Sequence, residues 1–208
     1  MNIPHVKQPQ YSNMCGAACL EMVYSFYGAP QPMAEIWPLV RGPGSDPLHD
    51  NCHTNLMTQH ALNAGFKAIA VTCDTPIKLV NACLSQNIAV IALLHSDPSG
   101  VMGHYCIITG ISYKGIFLND SLLDEPKGHN RLMKENVFLS SMQAGGTVST
   151  SNTFLLIAPA SASSVTASIC HDEPECCSHF ELLTPALDCA CHVLCPQHDC
   201  WCLPSVLA

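Results

Sequence analysis

Apolar residues fall in short blocks whose spacing changes along the chain. From Cys15 the chain stays largely apolar through Tyr27 and reads as a core helix, with Gly28 as a stop and Pro30 and Pro32 barring its continuation. A short helix is expected over Met33 to Val40, limited by Pro38, and residues 41–53 are rich in breakers and read as a loop, a lid or cleft wall. Thr54 is placed to cap a helix running to about Asn63, in which Leu56, Met57, Ala61 and Leu62 lie near helical spacing, and Gly65 ends it. Phe66 to Cys73 alternates in part and turns β-branched, which predicts a strand. Thr75-Pro76 opens another helix through Ser85. Ile88 to Leu94 is a continuous apolar run, short enough for a buried strand. His104 to Gly110 forms a further strand, a turn at Lys114-Gly115 lets Ile116 to Leu118 pair back, and Asn119-Asp120 closes that strand. A helix from about Leu132 to Met142 and a strand from Thr153 to Ala158 complete the pattern. Helices come first and an antiparallel sheet second, which argues an α+β fold.

Composition changes this picture at the C-terminal end. The chain has 208 residues, 48% hydrophobic and 12% charged, enough for one domain and an appendage, so residues 1–159 are expected to form the domain and residues 160–208 a Cys/His-rich acidic tail, disordered or metal-binding. All 8 Lys and Arg lie at or before Lys134, while the tail carries acids and no base. No basic patch exists to neutralise phosphates, which excludes nucleic acid as a partner. No basic-then-apolar start and no run of about 18 apolar residues predict an export signal or a membrane span, so the protein is expected to be cytoplasmic, with signal-independent export left open.

The 14 cysteines divide into two populations. Cys15, Cys19, Cys52, Cys73, Cys83 and Cys106 sit among apolar positions and read as reduced thiols. The tail holds the rest, with Cys189, Cys191, Cys195, Cys200 and Cys202 interleaved with His192 and His198. Soft thiolates and imidazoles suit zinc or copper(I), although no pair shows the two-residue gap of common zinc folds, so metal binding by the tail stands beside disulfides after release, lipidation or an unstructured extension as its readings. In the domain no metal site is expected: His49, Cys52 and His53 lack a clear fourth ligand nearby. Cys19, four residues after Cys15, reads as core packing, because three intervening residues do not make a redox pair.

Candidate chemistry gathers around Cys15. A thiol in the first turn of a helix lies at the positive end of the helix dipole, where thiolate is favoured. Such a nucleophile needs a base, a group that orients the base, and donors for an oxyanion. His104 opens a core strand just after a glycine, and Asp120 closes the strand paired with it, so a hairpin brings both toward one end of the sheet.

Three segments together resemble the bacteriocin-processing cysteine peptidases, the papain-like family that cleaves double-glycine leaders. They are Val6-Lys-Gln8 with Cys15-Gly-Ala-Ala-Cys-Leu-Glu-Met-Val23 and Tyr27-Gly28, Gly103-His104-Tyr105 with Thr109-Gly110, and Leu118-Asn119-Asp120. The resemblance covers roughly residues 5–158. It implies a papain-like fold and peptide-bond hydrolysis of a peptide or protein substrate without a cofactor. It also implies Cys15 as nucleophile, His104 as base, Asp120 as orienting acid and Gln8 as oxyanion donor, with Gln10 as rival because the family glutamine usually lies about six residues before the cysteine. The Cys15 backbone N–H would supply the second donor. No membrane span or nucleotide-binding motif follows, so the family's usual coupling of leader cleavage to export has no support in the sequence, and a separate transporter is left open as an unsupported partner. Ser121 stands where the family often has proline. Acyl transfer to an amine, or a non-catalytic peptide-binding module with a metal-binding tail, are the alternatives for the same cleft.

Overall fold

The computed structural model describes residues 1–43, 50–95, 103–143 and 152–162, together with the backbone of 180–182. The tail cysteines weighed as metal ligands, and His49, lie outside the described residues.

The helices are α1 (Cys15–Phe26), α2 (Met33–Val40), α3 (Thr54–Asn63), α4 (Pro76–Ser85) and α5 (Glu135–Ser141). The strands are β1 (Arg41–Pro43), β2 (Asp50–Cys52), β3 (Lys67–Cys73), β4 (Ala89–His95), β5 (Gly103–Ser112), β6 (Gly115–Asn119), β7 (Arg131–Met133), β8 (Thr153–Ala158) and β9 (Phe180–Leu182). Seven strands form one antiparallel sheet in the order β7-β6-β5-β4-β8-β3-β9. β9, from beyond residue 159, pairs with β3 through Val71–Leu182 to Cys73–Phe180.

The unbroken apolar run of β4 is explained by burial on both faces of the sheet. Ala89, Ile91 and Leu93 join a core with α1, α2 and α3, while Val90, Ala92 and Leu94 join a second core with α4 and α5. A central strand covered on both sides has no solvent face to mark with polar residues. β8 behaves alike, with Leu155 and Ile157 in the first core and Phe154 and Leu156 in the second.

Three local expectations need correction. Residues 41–43 and 50–52 are not loop but a two-stranded antiparallel ribbon, with Arg41 opposite Cys52 and an Arg41–Asp50 ion pair at 3.4 Å. Strands of three residues are too short for alternation to show. The segment after Asn130 is strand β7 before it is helix: Leu132 pairs with Phe117, and α5 starts only at Glu135. Thr54 is the first residue of α3 rather than its cap, and its hydroxyl meets the Tyr105 hydroxyl at 2.7 Å.

Two glycines are required by close approach. At Gly115, with φ of 136°, a Cβ would lie 2.2 Å from the Met133 carbonyl oxygen, so the β5–β6 turn admits no side chain. At Gly16 a Cβ would lie 2.6 Å from Met57 Sδ and 2.7 Å from Cys52 Cβ. The residue after Cys15 is therefore a point where α1 packs closely on α3 and β2.

Candidate active site

Cys15 is the first residue of α1, and it is buried with a trace of exposure. Met14 offers α1 no side-chain cap. Instead the Cys52 sulfur on β2 lies against this end of the helix, contacting the Asn13 carbonyl at 3.5 Å with the Gly16 and Ala17 N–H groups beside it. The short ribbon thus fastens the end of the helix that carries the nucleophile candidate. Burial pushes the Cys52 thiol up to about 12, and the neighbouring Cys15 adds to this against the helix N–H groups. Cys19 is wholly buried, hydrogen-bonds the Tyr105 carbonyl at 3.4 Å, and is held well above the ordinary thiol range by burial first and neighbouring thiols second. It packs as a core residue.

His104 and Asp120 are brought together by the β5–β6 pairing, in which Ile107 stands opposite Asn119. His104 Nε2 lies 2.8 Å from Asp120 Oδ1. With Nε2 so engaged, Nδ1 is the ring nitrogen left for Cys15, and the thiols of Cys15 and Cys106 both lie near enough to act on the imidazole. Burial disfavours the imidazolium, but the Cys106 thiol, the Asp120 carboxylate and the Cys15 thiol outweigh it and hold His104 above the usual histidine range.

Asp120 is buried, and burial alone would raise its pKa. The His104 hydrogen bond and charge, the Leu122 N–H at 3.1 Å and the Arg131 guanidinium reverse this and lower it. Arg131 Nη1 donates to Oδ2 at 2.6 Å, while Oδ1 faces His104. Sequence reading missed Arg131, because its place opposite Leu118 exists only once β7 is recognised as a strand.

Gln8 reaches the same end of the sheet through the N-terminal segment, which lies across β6. Asn119 Nδ2 donates to the carbonyls of Ile3 at 3.0 Å and Pro4 at 3.2 Å, and His5 Nε2 contacts the Asp120 carbonyl oxygen at 3.0 Å. The Gln8 backbone N–H then donates to the Ser121 carbonyl at 2.9 Å. Its side chain, 3% exposed, accepts from Ser121 Oγ at 2.8 Å and donates through Nε2 to the Ser12 carbonyl at 2.6 Å. Gln10 is exposed in a turn. Geometry therefore ties Gln8, not Gln10, to the neighbours of Asp120. Asn119 and Ser121 were also missed as parts of the site, though both flank Asp120 directly. His53 contacts the Pro43 carbonyl at 3.0 Å rather than forming a cluster with Cys52.

Solved structures with the same fold include three peptidase domains. The peptidase domain of Streptococcus ComA, a bifunctional ABC transporter of a quorum-sensing pathway, matches with a TM-score of 0.54 at 16% identity, over 74% of this chain and 96% of that one. A double glycine motif protease from an AMS/PCAT transporter, solved with its leader peptide, matches with a TM-score of 0.52 at 20% identity, over 76% and 92%. A C39-like peptidase from Bacillus anthracis matches with a TM-score of 0.58 at 12% identity, over 76% and 94%. No curated protein matches the sequence. Among the described residues no helix is long and apolar enough to cross a membrane. The model of the Peptidase_C39 like family matches residues 1–149, most of the chain. A thiol on a helix amino terminus facing a histidine–aspartate pair, in this fold and with this match, places the chain in the Peptidase_C39 like family of papain-like cysteine peptidases.

Proposed function

We propose that the protein cleaves peptide bonds by nucleophilic attack of Cys15, with His104 as general base and acid, Asp120 as the group that orients and charges His104, and Gln8 as oxyanion donor. The observation that carries this reading is the His104 Nε2–Asp120 Oδ1 contact at 2.8 Å, with Cys15 at the amino terminus of α1 near enough to act on the imidazole. His104 takes the thiol proton, the thiolate attacks the scissile carbonyl, and His104 returns the proton to the leaving amine as the acyl-enzyme thioester forms. Water, deprotonated by His104, then attacks the thioester and frees Cys15. The Gln8 side-chain amide and the Cys15 backbone N–H are the donors for the oxyanion, each of a kind worth about 100-fold or more in rate.

The substrate in this reading is a precursor peptide with a small-residue junction of the double-glycine type. Purified protein should cut a peptide carrying a Gly-Gly junction at that junction, as read by mass spectrometry, and Cys15→Ala should abolish the cut. Uncut peptide with the wild type, or equal cutting by Cys15→Ala, contradicts the proposal. An added amine that appears on the new carboxyl end would mark acyl transfer instead of hydrolysis.

A further inference from the structure

The reaction above gives one group beside the catalytic histidine no step of its own. Cys106 follows His104 by two residues on β5, so both side chains leave the strand on one face. The Cys106 residue is 1% exposed, and its thiol is close to the His104 imidazole. One ring nitrogen of His104, the Cys106 sulfur and one Asp120 carboxylate oxygen all lie within 4.8 Å of one another.

We propose that His104, Cys106 and Asp120 form an inhibitory zinc site built into the catalytic centre. An imidazole, a thiolate and a carboxylate are the donor types zinc accepts, at about 2.0–2.3 Å each, with a fourth position left for water. The ion takes the place of the proton between His104 Nε2 and Asp120 Oδ1. Their separation, 2.8 Å, has to open by about half an ångström to suit tetrahedral angles at those bond lengths. Asp120 Oδ2 stays with Arg131, so only Oδ1 turns to the metal. Two protons leave, one from Nε2 and one from the Cys106 thiol, so the two ligand charges offset the ion.

The donor set also selects the metal. Magnesium and calcium need several oxygens and gain nothing from a thiol, and here one carboxylate oxygen is already committed to a guanidinium. Soft donors with one oxygen favour zinc. Zinc bound here parts His104 from Asp120 and stops the reaction proposed above; this consequence rests on that reading, whereas binding does not.

The test is zinc titration of the full chain, under a phosphine reductant, against a chromophoric chelator. The tail cysteines are common to every variant, so the difference between variants reports this site. Wild type and Cys15→Ala should each bind one more tight equivalent than Cys106→Ala and His104→Gln. If Cys106→Ala and His104→Gln bind as much as wild type, the site does not exist. If Cys15→Ala loses the equivalent, zinc sits between Cys15 and His104, and the proposal is overturned. Should Cys106→Ala fail to fold, His104→Gln alone decides, since His104 is partly exposed. With each protein compared to its own zinc-free rate, peptide cleavage by wild type should fall at least about tenfold at zinc concentrations that leave a folded Cys106→Ser variant at its zinc-free rate, a fall set by loss of the histidine–aspartate pair. Equal inhibition of both would contradict the role of Cys106. Absence of any cleavage would instead count against the proposed function, with the binding result standing apart from it.

Discussion

Ser121 donates its hydroxyl to the side-chain oxygen of Gln8 at 2.8 Å, and its carbonyl accepts the Gln8 backbone N–H at 2.9 Å. The position at which the chain departs from the family pattern thus holds the candidate oxyanion donor from two sides. Ser121→Ala should lower kcat by about 3- to 10-fold with little change in KM, as the amide loses one of its anchors. Gln8→Ala should cost about 100-fold or more in kcat, and Gln10→Ala should stay within about twofold. Steady-state kinetics on one peptide separates these outcomes. A larger loss at Gln10 than at Gln8 would reverse the assignment.

Much of this was legible in the chain because each piece carried a local signal. The apolar block after Cys15, the buried run of β4 and the hairpin that carries His104 and Asp120 all show in residue order. What stayed hidden depends on pairing across long sequence distances. Arg131 becomes a partner of Asp120 only through a three-residue strand, too short to show a period. The Cys52 sulfur meets the α1 amino terminus from a ribbon that looks, in sequence, like a stretch of breakers. The path that sets Gln8 rather than Gln10 beside Asp120 depends on Asn119 holding the Ile3 and Pro4 carbonyls, a long-range contact with no local signal.

The His104–Asp120 pair makes a prediction with a definite sign. His104 is raised above its ordinary value, so its contribution to stability is full below about pH 6.5, the unfolded value, and is lost as pH rises through the folded value. If catalysis uses the imidazolium, activity should persist well above the ordinary histidine range. Asp120→Asn removes one of the charges that raise His104, so the alkaline limb of kcat/KM should move down toward neutrality. An unmoved limb would mean that Asp120 does not set the protonation of His104.

Arg131 acts on the same carboxylate from the other side. Asp120 is lowered, so its contribution is present above about pH 4, the unfolded value, and is lost as pH falls through the folded value. Arg131→Met should make the protein lose stability at a higher pH on acidification. The guanidinium is half-exposed and screened, so the loss at neutral pH should be no more than about 1 kcal/mol. Urea unfolding from pH 3 to pH 7, an interval spanning the ordinary carboxyl value of about 4, checks both. Parallel curves for variant and wild type would contradict the assignment.

Gly16→Ala tests the packing that seats the nucleophile helix. The added methyl meets Cys52 Cβ at 2.7 Å and Met57 Sδ at 2.6 Å. Met57 can yield by changing rotamer, but the Cys52 Cβ is fixed to its strand. Overpacking of this kind costs about 1–3 kcal/mol, and denaturant melts should show it. A variant as stable as wild type would mean that α1 and β2 are less tightly joined than their contacts imply.

The central claim is that His104 activates Cys15, and the most direct measurement is the rate of Cys15 alkylation by an iodoacetamide probe across pH, followed by peptide mass mapping. Wild-type Cys15 should react at neutral pH at least about tenfold faster than in His104→Ala, because the thiolate is the reactive form and its imidazole partner is gone. Cys19, buried one turn along α1 and with its thiol pushed well above the ordinary range, should stay unlabelled in both. If Cys15 reacts no faster than Cys19, or at the same rate with and without His104, then Cys15 is not the activated nucleophile.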